Sequence, residues 1–163
     1  MKSDATEPPV LVIGYGNILR RDDGVGWAVA RRLLDQLPRE LATVLTVPQL
    51  LPELAEQISR AQYVVFIDAD AQLPPGVVQK LPVRPDDQDG QILGHHQTPA
   101  GILRLASDLY ARSPAASIYS IGGADFSFGC NLSPPVQAAL RKVVQDIVDA
   151  VILFARDGGI GHL

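Results

Sequence analysis

The sequence predicts an α/β fold, a three-layer α/β/α sandwich on a twisted, mostly parallel five-stranded sheet. Short aliphatic or β-branched runs alternate with amphipathic helical stretches along the chain. Several of these runs stop at Gly, Pro or Asp, where strands give way to turns. The length fits as well: 163 residues, 47% of them apolar, suit one domain at about 150 residues per domain, burying about two thirds of the unfolded surface. Residues 1–163 therefore read as a single domain, with 1–8 as a loose lead-in.

Each element has its own signal. Val10 to Ile13 is a compact aliphatic run stopped by Gly14, the pattern of a buried strand. From Asp23 to Leu37, Val25, Ala28, Val29, Leu33 and Leu37 recur every three or four residues, a helical stripe closed by Pro38. Leu41 to Val47 is a second strand, and Pro52 opens a second helix over Glu53 to Ser59. Tyr63 to Ile67 is the most strand-like run of all and is expected at the sheet centre, breaking at Asp68-Ala69-Asp70. Val77 to Val83 follows the Pro74-Pro75-Gly76 turn closely enough to run antiparallel to its predecessor. Arg84 to His96 is a long polar loop, a type often tied to function. A third helix spans Thr98 to Ala111, a fifth strand Ala116 to Ile121, and a fourth helix runs from Val136 to about Arg156, with Ser133 as its cap and Pro134-Pro135 at its start. In such a sandwich ligands bind at the C-terminal edges of the parallel strands.

Charge and composition exclude several functions. With 14 Lys+Arg against 18 Asp+Glu the net charge is −4, so the chain lacks the footprint of a nucleic-acid binder. Its longest apolar runs fall far short of the roughly 20 residues that cross a bilayer, and the N-terminal stretch lacks the apolar core of a signal peptide. The one cysteine, Cys130, rules out an intrachain disulfide or a thiolate cluster and suits a reducing cytoplasm. Free cysteine packs as a small apolar residue more often than it attacks as a nucleophile, and Cys130 is read that way.

The candidate chemistry lies at strand ends. Gly14-Tyr15-Gly16-Asn17 follows the first strand but lacks the third glycine of a dinucleotide loop, having Leu19 there, and no Gly-Lys-Ser/Thr occurs. The bland reading is that these glycines only permit a tight turn; a nucleotide-linked enzyme using Gly14 and Gly16 is the weaker alternative. Asp22 and Asp23 stand together at a helix entrance, where one acid suffices as a cap and the other is free to face the cleft. Asp68 and Asp70 end the central strand and share a face if it continues, although Asp often closes a strand through a turn. His95 and His96 close the polar loop. Carboxylates and an imidazole without thiolate suit zinc or nickel. The same set, metal-free, suits acid/base chemistry between neighbouring carboxylates.

The pattern Gly14-x-Gly16-Asn17-x-Leu19-x-x-Asp22-Asp23-Gly24-x-Gly26, then Asp68-Ala69 ending an apolar strand, then His96-Gln97 before a helix, resembles the hydrogenase maturation protease family. These endopeptidases trim the C-terminal extension from the nickel-loaded large subunit of [NiFe] hydrogenases. The resemblance implies a phosphorylase/hydrolase-like sandwich, a cytoplasmic monomer, the [NiFe] hydrogenase large-subunit precursor as partner, and no nucleic acid or membrane. It places the catalytic and metal-contacting trio on Asp23, Asp68 and His96, with nickel recognised in the substrate rather than permanently bound. Many members carry Glu where this chain has Asp23, and the Asp form resembles the subgroup serving bidirectional NAD(P)-linked hydrogenases. Two mechanisms stay open: nickel and carboxylates polarising a water or the scissile carbonyl, or aspartyl-type attack through Asp23 and Asp68. A metal-checking chaperone that cuts nothing is the alternative function.

Overall fold

A computed structural model describes residues 8–85 and 97–158. The sheet has the strand order β2-β1-β3-β5-β4, with β1 at Val10–Tyr15, β2 at Ala42–Val47, β3 at Tyr63–Asp70, β4 at Val78–Val83 and β5 at Ala115–Gly122. β1, β2, β3 and β5 run parallel. β4 is antiparallel as expected, but its hydrogen-bonded neighbour is β5 and not its predecessor β3. Pro82, which has no amide to donate, is tolerated because β4 is an edge strand.

Among the described residues four helices cover the sheet: α1 (Val25–Gln36), α2 (Leu54–Arg60), α3 (Pro99–Tyr110) and α4 (Pro134–Arg156). The alternation of side chains along β1 and β3 divides the core in two. Val10, Val12, Tyr63, Val65 and Ile67 pack with α1 and α4, whereas Leu11, Ile13, Val64 and Phe66 pack with α2 and α3. Both faces of these strands are covered, which explains why the runs are continuously apolar and not alternating. Among the described residues no helix is long and apolar enough to cross a membrane.

Several element ends differ from expectation. β3 does not stop at Ile67: Asp68, Ala69 and Asp70 continue in register with Ser120, Ile121 and Gly122 of β5. The first helix starts at Val25 after a separate 3-10 turn, Arg21–Gly24. Ser133 occupies the cap position of α4 without a side-chain capping bond, because its hydroxyl is engaged elsewhere. Thr98 does cap α3, its Oγ1 accepting from the Gly101 amide at 3.0 Å.

The chain leaves β1 through α1 for β2 on one side, then crosses through α2 to β3 on the other. The C-terminal ends of β1 and β3 thus flank a topological switch point, the crevice where open α/β sheets bind ligands. Backbone segments meet closely there. A Cβ on Gly26 would lie 2.5 Å from the Ile67 carbonyl oxygen and 2.7 Å from that of Tyr15. Only a residue without a side chain lets the start of α1 sit against β1 and β3.

Gly26→Ala should therefore lower the unfolding free energy by about 2–4 kcal/mol, because backbone cannot yield as a side-chain tip can. Urea unfolding measures this; an unchanged midpoint would show that the contact relaxes freely.

Candidate functional site

The loop after β1 brings Asp23 to the switch point. Gly16 turns the chain with φ +133°, and a Cβ there would lie 2.0 Å from the Asp23 carbonyl oxygen. The Gly16 amide donates to Val47 O at 3.3 Å, tying the turn to the end of β2. The Asn17 amide donates to Asp23 Oδ2 at 2.7 Å, and the Leu19 amide to Asn17 Oδ1 at 2.9 Å. Asp23 is thereby oriented while remaining partly exposed. The glycines of this loop serve close backbone packing.

Asp22 turns the opposite way. It is 0% exposed, and its carboxylate does not cap α1. It accepts from the amides of Ala124 (2.8 Å), Asp125 (2.9 Å) and Ser133 (2.7 Å) and from the Ser133 hydroxyl (2.7 Å). Burial alone would raise this carboxyl, but these hydrogen bonds outweigh it and hold the group below the usual carboxylate value. Backbone bonds continue the seam: the Asp22 amide donates to Asp125 O at 3.1 Å, Arg21 N to Gly129 O at 2.9 Å and Gly129 N to Leu19 O at 2.8 Å. Asp22 is therefore the acid that joins the loops following β1 and β5.

Asp68 meets Asp23 from the end of β3. Its Oδ1 accepts from the Ala69 amide at 2.8 Å, and the Tyr15 hydroxyl donates to its carboxyl group. Burial pushes Asp68 up to about 6; the Tyr15 and Ala69 hydrogen bonds oppose this, and the charges of Asp23 and Asp70 add to it. Burial also pushes the Tyr15 phenol upward, reinforced by Asp68 and Asp23, so it stays a donor at neutral pH. Asp70 takes the turn-forming role: its Oδ1 accepts from the Gln72 amide at 2.7 Å.

The structure thus brings together Asp23, Asp68 and Tyr15. His95 and His96 lie outside the described residues. The next residue, Gln97, donates its amide to Leu50 O at 3.3 Å. Among the described residues no group of three His, Cys, Asp or Glu side chains is placed to hold a metal ion. Two carboxylates at a crevice, one of them raised, can pass a proton or offer oxygen donors to an incoming cation. Cys130 is exposed, which corrects the expectation of a packed residue; it sits in a surface loop and not under a helix.

Tyr15 was missed in the sequence; strand parity finds it only when combined with the pairing of β1 with β3. It follows Leu11 and Ile13 on the face that Asp68 shares with Val64 and Phe66.

The class defined by this architecture is a doubly wound α/β domain with a carboxylate pair at its switch point. Solved structures of the same fold include the hydrogenase maturating endopeptidase HybD from E. coli (TM-score 0.73, 20% identity, covering 92% of this chain and 93% of that one). They also include the [NiFe] hydrogenase maturation protease HybD from Thermococcus kodakarensis (0.66, 23%, 87% and 98%) and a hydrogenase 2 maturation peptidase from Thaumarchaeota archaeon SCGC_AB-539-E09 (0.68, 23%, 88% and 98%). At these identities the likeness establishes the fold. No protein-family model matches the chain, and no curated protein matches it in sequence.

Two opposite pH effects follow. The folded-state value of Asp22 is lowered, so its stabilisation is present above the unfolded-state value and is lost as pH falls through the folded one. Asp22→Asn should cost about 2–4 kcal/mol at pH 7, by leaving buried donors poorly paired, and should flatten the acid limb of a stability profile. Asp68 is raised, so the protonated group favours the fold at low pH and that advantage disappears as pH rises through about 6. Asp68→Asn should accordingly match the parent near pH 4 and exceed it by about 1–3 kcal/mol at pH 8. Urea titrations at the two pH values decide; an Asp68→Asn protein weaker than the parent at pH 8 would contradict the stated burial cost.

Proposed function

We propose that the chain is an endopeptidase that removes the C-terminal extension from the nickel-loaded large-subunit precursor of a [NiFe] hydrogenase. The observation that carries this reading is the convergence of Asp23 and Asp68, far apart in sequence, on the switch-point crevice with Tyr15 beside them. The sequence motif around Asp22-Asp23 and the shared fold with proteins described as hydrogenase maturation proteases support it. His96 completes the set as the third member of this proposal.

In this reading nickel belongs to the substrate. Asp23 and Asp68 offer oxygen donors and His96 a nitrogen donor, a partial set that binds a free ion weakly and an ion already held by the precursor well. Cleavage then follows correct metal insertion. Asp68, raised toward neutrality by its surroundings, is the carboxyl suited to exchange a proton with the attacking water, while Asp23 is held by the Asn17 amide. The aspartyl-type alternative uses the same two side chains. Aspartate at position 23 supports a bidirectional NAD(P)-linked hydrogenase as the source of the substrate. The reading also places the reaction in the cytoplasm, with the enzyme as a monomer.

Incubation with nickel-loaded precursor should release a C-terminal peptide detectable by mass spectrometry, and nickel-free precursor should remain intact. Asp23→Asn, Asp68→Asn and His96→Ala should each lower the cleavage rate at least about 100-fold with the fold retained by circular dichroism. Binding of the precursor without peptide release would replace the protease by a metal-checking chaperone.

A further inference from the structure

Next to Asp23 in the chain, Ile18, Arg21 and Gly24 contribute to a second feature, a cleft of about 200 Å³. Its lining includes the apolar residues Ile18, Trp27, Ala28 and Leu132 and the basic residues Arg21 and Arg31. Among the described residues no carboxylate lines it, Asp125 reaching Arg21 from outside the lining, although the chain as a whole is acidic at −4.

The cleft is firmly built. Trp27 Nε1 donates to Val47 O at 2.9 Å, which fixes the indole as a wall, and Arg31 Cζ stands 5.8 Å from the centroid of that ring. Arg21 is held at φ 47°, a left-handed conformation that is rare and strained for a long side chain. Its amide is bound to Gly129 O, and its buried Nε is ion-paired with Asp125 Oδ2 at 3.4 Å, which leaves the tip of the guanidinium for the cleft. Two arginines beside an apolar wall, with no carboxylate among the described lining residues, suit an anion that carries an apolar neighbour group.

We propose that this cleft binds the free C-terminal residue of a polypeptide, its apolar side chain against Trp27 and Leu132 and its carboxylate between Arg21 and Arg31. A C-terminal residue carries an apolar side chain and a carboxylate on one Cα, and so presents both within a space of this size. An internal acidic residue offers the charge without the apolar group. The cleft's place in the reaction rests on the protease reading: it would anchor the end of the extension that is cut off, whereas Asp23 and Asp68 act at the bond itself.

The chain contains one tryptophan and one cysteine, and both Trp27 and Cys130 line this cleft, so occupancy has two intrinsic reporters. Titration with N-acetyl-leucine should change Trp27 fluorescence saturably and slow alkylation of Cys130 by iodoacetamide. N-acetyl-leucinamide and N-acetylglycine should bind at least tenfold more weakly. Arg31→Gln, on the exposed side of α1, should weaken N-acetyl-leucine at least fivefold with an unchanged circular dichroism spectrum, whereas Asp23→Asn should bind it like the parent. Equal binding of the amide, equal binding of N-acetyl-aspartate α-amide, or no response from either reporter overturns the assignment. These probes carry neither nickel nor hydrogenase sequence. Probe binding without precursor cleavage therefore defeats only the protease reading, and cleavage without probe binding defeats only the cleft.

Discussion

The fully buried carboxylate of Asp22 is the constraint on which the site depends. Removing an anion from water is costly unless donors replace the lost hydration, and here three amides and one hydroxyl do so. All four donors belong to the segment between β5 and α4. The bond network therefore fastens the loop after β1 to the loop after β5, and it fixes where the neighbouring Asp23 emerges.

Asp22 and Asp68 show how donor number decides the behaviour of a sheltered acid. Asp22 has enough donors to overcome desolvation, and its carboxyl is held low. Asp68 has the Ala69 amide and the Tyr15 hydroxyl, faces two other carboxylates, and is raised to about 6. The first arrangement is structural because its proton is unavailable near neutrality. The second leaves a proton within reach of physiological pH, and perturbation of that kind concentrates at functional sites.

The glycines link this electrostatic arrangement to the sheet. Because Gly26 approaches Ile67 and Tyr15 at backbone distance, α1 begins directly over the ends of β1 and β3. Asp23 and Asp68 can then meet across the switch point although neither carries a long side chain. The cleft lined by Trp27, Arg21 and Arg31 draws on the same loop and on the first turns of α1, so one segment contributes to both an acidic and a basic site.

Much of this was legible in the chain. The apolar run of β1, the stripe of α1 and the Thr98 cap depend on neighbours a few residues away, and local periodicity and capping chemistry report them. The motif also marked Asp23 and Asp68. Hidden from it was the task of Asp22, which ties two loops together instead of capping α1, because its partners lie 102 to 111 residues further along the chain. Cys130 was misread for a related reason: general burial tendencies say nothing of which loop remains uncovered. Tyr15 could be assigned to Asp68 only once β1 was known to pair with β3. The sequence by itself thus determined the layers, the helices and the residues able to do chemistry, since those follow from short-range pattern. Tertiary structure alone decided which acid is buried, which is raised and where a basic cleft opens, because desolvation and hydrogen bonding depend on what the distant parts of the chain bring alongside.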